Sequence, residues 1–166
     1  MVLKPLSTRA KALKGLMSVV IPVEPGGTVR AALRAMQGLA KLEKALIAEV
    51  LVAEGENPSR QRNLAVQKAK APWVLFLDSD SQVQPGAVSA LLQATEAGVV
   101  AVGGPNLALK DEPRLGRSFD KVLGSWFGSM ASRARYKSLG QRRNTSEKEL
   151  ILCNLLVSRK DFVAAC

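Results

Sequence analysis

The chain has 166 residues, of which 47% are hydrophobic and 23% are charged, a balance typical of one globular domain with a buried core. It contains no histidine, which excludes imidazole zinc sites and Ser-His or Cys-His catalysis, and its two cysteines, Cys153 and Cys166, lack metal-ligand spacing. Any metal must therefore be held by oxygen. The net charge of +10 favours an anionic partner, but four Phe, two Trp and one Tyr are too few for a base-stacking surface, so we expect no nucleic-acid binding.

Residues 1–16 are interpreted as a basic lead, and residues 17–166 as one folded domain. The lead scatters its cations among apolar residues and does not resemble a signal peptide: Lys4, Arg9, Lys11 and Lys14. No apolar run approaches the roughly 20 residues that cross a bilayer. We therefore expect a cytoplasmic protein.

From residue 17 onward, apolar strands alternate with amphipathic helices. The pattern predicts strands at residues 17–23, 49–53, 72–78, 98–102 and 149–158. It predicts helices at residues 28–39, 40–48, 59–70, 86–96, 117–137 and 159–165. This alternation indicates βαβ units, and therefore an α/β fold with a mostly parallel sheet and flanking helices. The basic stretch 133–148 is predicted to be a mobile loop.

Two helix starts are assigned to capping side chains, Thr28 and Ser59, because hydroxyls accept hydrogen bonds from the first turn. In the helix predicted at 59–70, the apolar periodicity places Leu64 and Ala65 toward the core. Arg62 is expected on the polar face of the same helix.

The strand predicted at 72–78 ends in two carboxylates, Asp78 and Asp80, which are separated by Ser79. Ligands bind at this end of the strands in open α/β sheets. If the segment stays extended, both carboxylates point to one side and suit Mg²⁺ or Mn²⁺, which would also bridge substrate phosphates. The alternative is a polar turn that caps the next helix, since Asp and Ser favour turns and N-caps.

Four segments, in this order and spacing, resemble the inverting nucleotide-sugar glycosyltransferases of family 2, which have the GT-A fold. SVVIP at 18–22 resembles the opening strand of the family, and EVLVAE at 49–54 resembles the second strand with its acidic end. RNLA at 62–65 resembles the Arg-Asn helix before the third strand, and LFLDSD at 75–80 resembles the Asp-x-Asp strand end. The resemblance covers residues 17–166 and continues in NLLVSRKDF at 154–162.

The resemblance implies a GT-A domain that binds a nucleoside diphosphate sugar and uses Mg²⁺ or Mn²⁺. It makes Asp80 the direct metal ligand and Asp78 a ligand of the metal or the ribose. The remaining residues implied to line the nucleotide-sugar site are Pro22, Glu24, Glu54, Arg62 and Ser79. Two of them also have an ordinary structural interpretation. Glu54 could be a loop acid, and the family more often has Asp at this position. Arg62 could be a solvated helix arginine.

The catalytic base of the family is a carboxylate beyond the last strand, so we expect it beyond Cys166; Asp161 comes too early in the sequence. Two alternatives to a glycosyltransferase stay open. One is a nucleotide-sugar-binding domain that is catalytically incomplete. The other is a sugar-phosphate nucleotidyltransferase, which is disfavoured because the turn at 23–27 has no basic residue until Arg30.

The basic residues suggest which acceptor and which surface the protein contacts. Besides the lead, the cations concerned are Arg133, Arg135, Lys137, Arg142 and Arg143. They are compatible with a lipid-linked or glycan acceptor and with peripheral contact at the inner face of the membrane. The alternative is a solvated basic loop.

Overall fold

The computed structural model describes residues 14–108, 113–140 and 142–165, so most of the predicted basic lead, residues 1–13, lies outside it. The strands are β1 (Met17–Val23), β2 (Ile47–Glu54), β3 (Trp73–Leu77), β4 (Ala101–Gly103) and β5 (Asn154–Ser158). The helices are α1 (Arg30–Gln37), α2 (Lys41–Leu46), α3 (Pro58–Lys68), α4 (Ala87–Gln93), α5 (Arg114–Leu123), α6 (Trp126–Ser129) and α7 (Arg159–Ala165). A 3-10 helix, Met130–Arg135, follows α6. Within these ranges no helix combines the length and apolar character needed to cross a membrane.

The five strands form one sheet in the order β2-β1-β3-β5-β4. Strand β1 pairs in parallel with β2 and with β3, while β5 runs antiparallel to both β3 and β4. Four strands therefore run in one direction, which confirms the predicted α/β fold with a mostly parallel sheet. Because β2 and β3 lie on opposite sides of β1, the chain changes direction across the sheet at β1.

Helices cover both faces of the sheet, and strand residues alternate between the two layers. Val19 and Ile21 of β1 face a core that includes residues of α1, α2 and α4. On the other face, Phe76 of β3 packs with α3 and lies 5.5 Å, ring to ring, from Phe162 of α7. Phe76 is completely buried, and burial of such a side chain contributes about 1.5–3 kcal/mol. The two cores hold the strand ends in fixed register.

Two helix starts differ from the prediction. Asn57, not Ser59, caps α3 by accepting a hydrogen bond from the backbone N–H of Arg60 at 3.0 Å, and Pro58 fills the first helical position. Helix α1 begins at Arg30, with Val29 at the cap position, so Thr28 lies just outside the helix; its hydroxyl still accepts a hydrogen bond from the N–H of Arg30 at 3.3 Å. The expectation that Leu64 faces the core is also wrong, because this residue is 48% exposed.

The predicted helix at 117–137 is broken into three pieces. Helix α5 ends at Leu123 with Gly124 as its C-cap, and the Ser125 side chain caps α6 by accepting a hydrogen bond from the N–H of Gly128 at 3.1 Å. The backbone folds back so tightly that the carbonyl of Val122 leaves no room for a Cβ at Gly128. A glycine and a capping serine therefore end a pattern that is otherwise helical.

Several strand boundaries also shift. The strand predicted at 149–158 begins only at Asn154, because two turns precede it. The N–H of Glu149 donates to the carbonyl of Ser146 at 3.1 Å, and the N–H of Asn154 donates to the carbonyl of Ile151 at 3.2 Å. The strand predicted at 98–102 forms at 101–103, after Gly98 takes a left-handed turn at φ +85°. Strand β2 begins at Ile47, which shortens the helix predicted at 40–48 to α2.

Candidate functional site

The carboxyl ends of three parallel strands meet the start of β5 at one edge of the sheet. Glu24 follows β1, Glu54 ends β2, and Asp78 follows β3; Asn154 opens β5 opposite Leu77. The connection after β1 leads to β2 on one side, and the connection after β3 leads to β4 on the other. The switch point therefore lies between β1 and β3, and such points form ligand-binding crevices in α/β sheets. The sequence-predicted site residues around it are therefore brought together by topology.

The segment after β3 is a tight turn and not an extended strand. The N–H of Asp78 donates to the hydroxyl of Ser81 at 3.0 Å, and the N–H of Ser81 donates back to the carbonyl of Asp78 at 3.1 Å. The interpretation of 78–80 as extended is therefore wrong. The turn does not cap a helix either, since α4 begins at Ala87 after Gly86. Asp80 is exposed at its tip, and Ser79 is half-buried.

Arg62 of α3 reaches over the end of β3. Its Nη2 donates to Oδ1 of Asp78 at 3.1 Å, and its side chain is only 13% exposed, against 45% for Asp78. The expectation of a solvated polar-face arginine is therefore wrong. Within the described chain the Nε of Arg62 is buried without a hydrogen-bond partner. The guanidinium consequently keeps an unused donor beside the carboxylate turn.

The carboxylate of Glu54 shapes the loop after β1. Its Oε1 accepts a hydrogen bond from the backbone N–H of Gly26 at 3.0 Å, and this glycine has φ +73°. Glu24 is exposed at the start of the same loop. Pro22 is buried within β1. Glu54 thus orders the loop that borders the crevice on the β1 side.

Gln61, which the sequence reasoning did not single out, joins the ends of β1 and β2. It is 6% exposed, and its Nε2 donates to the carbonyl of Val23 at 2.8 Å and also to the carbonyl of Ala53. Strand propensity and periodicity give no signal for such a contact, because both acceptors are backbone atoms distant in sequence. Gln61 places Arg62 and the two strand ends in one rigid unit.

A cleft of about 1390 Å³ opens beside the carboxylate turn, on the β4 side. Its walls include Leu77 and Ser81 after β3, Gly103 of β4 and Asn154 of β5. Three cations of the predicted basic loop also line it, namely Lys137, Arg142 and Arg143. Arg142 pairs with Glu96, and Arg143 pairs with Glu149 at 2.7 Å. Two of the three are therefore held in ion pairs within the cleft wall.

Cys153 lines the same cleft, just before β5. Burial raises the pKa of its thiol, and the negative charges of Asp78 and Asp80 raise it further. Cys153 thus lies on the cleft wall near the Asp78–Asp80 turn.

The carboxylate oxygens at the turn suit a hard divalent cation, but they fill only part of its coordination shell. Asp78 and Asp80 provide carboxylate oxygens, which Mg²⁺ and Mn²⁺ prefer. Across the described ranges no group of three or more His, Cys, Asp or Glu side chains could hold a metal by itself. Two carboxylates leave coordination positions for ligand phosphates and water, so the residues fit a metal that arrives with a phosphorylated ligand.

The sheet order and the flanking helices are those of a GT-A domain of the nucleotide-diphospho-sugar transferase type. The chain belongs to glycosyl transferase family 2, whose family model matches residues 27–163. Among curated proteins, no sequence matches significantly.

Solved structures with the same fold are distant in sequence. Mannosyl-3-phosphoglycerate synthase from Rubrobacter xylanophilus is similar with a TM-score of 0.54 and 14% identity, over 95% of this chain and 57% of that one. Glucosyl-3-phosphoglycerate synthase from Mycobacterium tuberculosis in complex with uridine diphosphate gives a TM-score of 0.50 and 15% identity, over 92% and 59%. The same enzyme with Mn²⁺, uridine diphosphate and phosphoglyceric acid gives 0.50 and 16%, over 92% and 58%. The chain spans less than 60% of the length of each of these proteins.

Proposed function

We propose that this chain is the donor-binding domain of a metal-dependent glycosyltransferase that uses a nucleoside diphosphate sugar. The observation that carries the proposal is the Arg62–Asp78 contact of 3.1 Å beside the exposed Asp80, at the switch point of the sheet. A cation and two carboxylates at this edge match a ligand with a negatively charged diphosphate and a divalent metal.

In this proposal Asp80 binds the metal directly, and Asp78 contributes a second ligand or contacts the ribose. When bound, Mg²⁺ or Mn²⁺ supplies Lewis-acid stabilisation of the leaving diphosphate. Arg62 holds Asp78 in place, and its guanidinium contacts the nucleotide or its phosphates. The half-buried Ser79 lies between the two carboxylates and contributes to the same nucleotide-sugar site.

The nucleotide end of the donor lies on the β1–β2 side of the edge. Glu24 is exposed there, and Glu54 orders the loop through the N–H of Gly26. Pro22 acts from within β1 by fixing the backbone where the strand ends. This division leaves the cleft on the β4 side for the acceptor, which we propose is a glycan or a lipid-linked sugar. A lipid-linked acceptor implies work at the inner face of a membrane.

The general base is not assigned among the described residues. Glu149 lines the cleft, but hydrogen bonds from Thr145 and Arg143 lower the pKa of its carboxyl group. A general base works best with a pKa near the operating pH, so this shift disfavours Glu149. The second candidate function, a nucleotide-sugar-binding domain without turnover, draws its support from this observation.

Calorimetric titration tests the proposal directly. UDP, GDP and a UDP-sugar are titrated into the chain with and without Mn²⁺. We expect at least one nucleoside diphosphate to bind in Mn²⁺ and to bind at least tenfold more weakly in EDTA. Failure of every nucleoside diphosphate to bind in Mn²⁺ removes both candidate functions. Binding accompanied by release of free sugar favours the transferase, and binding without any turnover favours the second candidate.

A further inference from the structure

Helix α5 separates apolar and cationic side chains onto different faces. Leu115, Phe119 and Val122 follow i, i+4, i+7 spacing, so they share one face. Arg114, Arg117 and Lys121 follow i, i+3, i+7 spacing on the other. No residue of this described helix is buried, so its apolar face does not serve the core of the domain.

Helix α6, which contacts α5, and the 3-10 helix, which contacts α6, carry further exposed apolar side chains. We define the apolar surface by six residues, each more than half exposed: Leu115 68%, Phe119 59%, Val122 56%, Trp126 55%, Phe127 97% and Met130 65%. Large apolar side chains seldom cluster on a surface without a contact to make. The apolar surface therefore marks a contact face.

The charge around the apolar surface is strongly positive. Residues 114–137 contain six cations and one carboxylate, Asp120. The guanidinium of Arg133 lies 5.2 Å from the ring centre of Trp126. A concavity of about 410 Å³ is lined by Arg114, Arg117, Ser118 and Lys121. The partner must therefore offer apolar material and negative charge together.

We propose that the apolar surface docks onto an anionic lipid bilayer. Helices that lie in the membrane interface carry Trp, Phe and Leu on one face and Lys and Arg on the other. In this arrangement the apolar surface enters the boundary between headgroups and acyl chains. Arg114, Arg117 and Lys121 pair with lipid phosphates, to which anionic leaflets attract basic segments.

Other occupants fit the charge less well. A second copy docked face to face brings two sets of six cations together. Residues 1–13 of the same chain add Lys4, Arg9 and Lys11 and no carboxylate, so they do not complement the surface. The proposed docking surface consists of residues 114–137 and does not depend on the proposed transferase site.

Vesicle co-sedimentation of the full chain tests the proposal. The probes are vesicles of phosphatidylcholine alone and of phosphatidylcholine with 30% phosphatidylglycerol. We expect binding to the anionic vesicles only, weakened by added salt. Phe119→Gln/Phe127→Gln should lower the partition coefficient more than tenfold, because two phenylalanines no longer insert. Arg117→Gln/Lys121→Gln should lower it about 25-fold at low salt, since each cation contributes about fivefold.

Matched control variants test whether vesicle binding depends on this surface and not on the overall charge or hydrophobicity of the chain. Leu64→Gln removes a 48% exposed apolar residue from α3, and Lys41→Gln/Lys44→Gln removes two exposed cations from α2. Both should keep at least half of the binding, and circular dichroism should show every variant folded.

Three results would overturn the proposal. The first is equal binding to neutral and anionic vesicles, or none. The second is binding that survives the α5 variants but is lost in Lys4→Gln/Arg9→Gln/Lys11→Gln. The third is a dimer in light scattering that Phe119→Gln/Phe127→Gln disperses, without vesicle binding, which assigns the surface to a second copy.

Discussion

Arg62 donates to Asp78 across 3.1 Å, so the helix that precedes β3 in the chain holds the carboxylate that follows β3. The helix in turn is fixed to the ends of β1 and β2 by Gln61. The carboxylate turn is therefore supported from three strands, in addition to the hydrogen bonds between Asp78 and Ser81 within the turn itself. Such support is what a site needs when it must present ligands in a fixed geometry.

Arg62→Ala is expected to weaken binding of UDP or GDP, whichever the wild-type chain binds more tightly, about tenfold. A charged hydrogen bond of this kind contributes about 1.5 kcal/mol when its partner is partly exposed. Isothermal titration in Mn²⁺ measures the change. Arg60→Ala, an exposed arginine of the same helix, is the control and should leave the affinity within twofold. Equal effects of both substitutions would contradict a specific role for Arg62.

Gln61→Ala is expected to lower the free energy of unfolding by about 2 kcal/mol. The substitution leaves the carbonyls of Val23 and Ala53 without their side-chain donor in a buried setting. Urea denaturation followed by circular dichroism measures the change, with the exposed Gln67→Ala as the control on the same helix. A loss below about 0.5 kcal/mol would show that the strand ends are held by other contacts.

Glu43→Ala is expected to lower the free energy of unfolding by about 2 kcal/mol as well. The Glu43 carboxylate is 4% exposed, and it accepts hydrogen bonds from the N–H groups of Gly86 at 2.9 Å and Ser89 at 3.2 Å. It thus caps α4 from a neighbouring helix, and cap removal typically costs 0.5–2 kcal/mol. Urea denaturation of Glu43→Ala and of the exposed Glu56→Ala compares the two. Equal stability of these variants would rule out the cap.

The thiol of Cys153 should react slowly at pH 8 and react faster when a neighbouring carboxylate is neutralised. Burial and the charges of Asp78 and Asp80 hold the pKa of Cys153 above the ordinary value of 9.0. In a Cys166→Ser background, the rate of iodoacetamide alkylation against pH measures this pKa. Asp78→Asn should shift the profile to lower pH, because one negative charge no longer opposes the thiolate. The control Asp161→Asn should leave the profile unchanged. If Asp78→Asn also leaves it unchanged, the charge of the turn does not affect the pKa of Cys153.

Much of the fold could be predicted because the strands are apolar runs of the right length. The predicted bounds of β1 are identical to the observed ones, and the helix predicted at 159–165 forms as α7. The errors in the predicted bounds occur mainly where a single residue starts or ends a helix. Asn57 is the cap in place of Ser59, because Pro58 is suited to the first helical position and the residue before it becomes the N-cap. Gly124 and Ser125 end a helix whose periodicity continues past them.

The site was predictable in outline and not in its contacts. The parallel strand order explains why Glu54 and Asp78 lie at the same edge of the sheet, at the ends of the two strands that flank β1. The turn at 78–81 depends on a hydroxyl, that of Ser81, whose partner is a backbone N–H. Helical periodicity assigns Arg62 to a polar face, whereas the structure turns it to Asp78. The partner of a long side chain depends on tertiary contacts, and helical periodicity does not predict those contacts.

The central claim is that the Asp78–Asp80 turn binds a metal together with a nucleoside diphosphate. Its most direct test is titration of Mn²⁺, followed by electron paramagnetic resonance, with saturating UDP or GDP. Wild-type chain and Asp161→Asn should bind one Mn²⁺ per nucleotide-bound molecule, and Asp80→Asn should weaken this binding at least tenfold, since a direct carboxylate ligand is lost. Undiminished Mn²⁺ binding by Asp80→Asn, with the nucleotide still bound, would contradict the account.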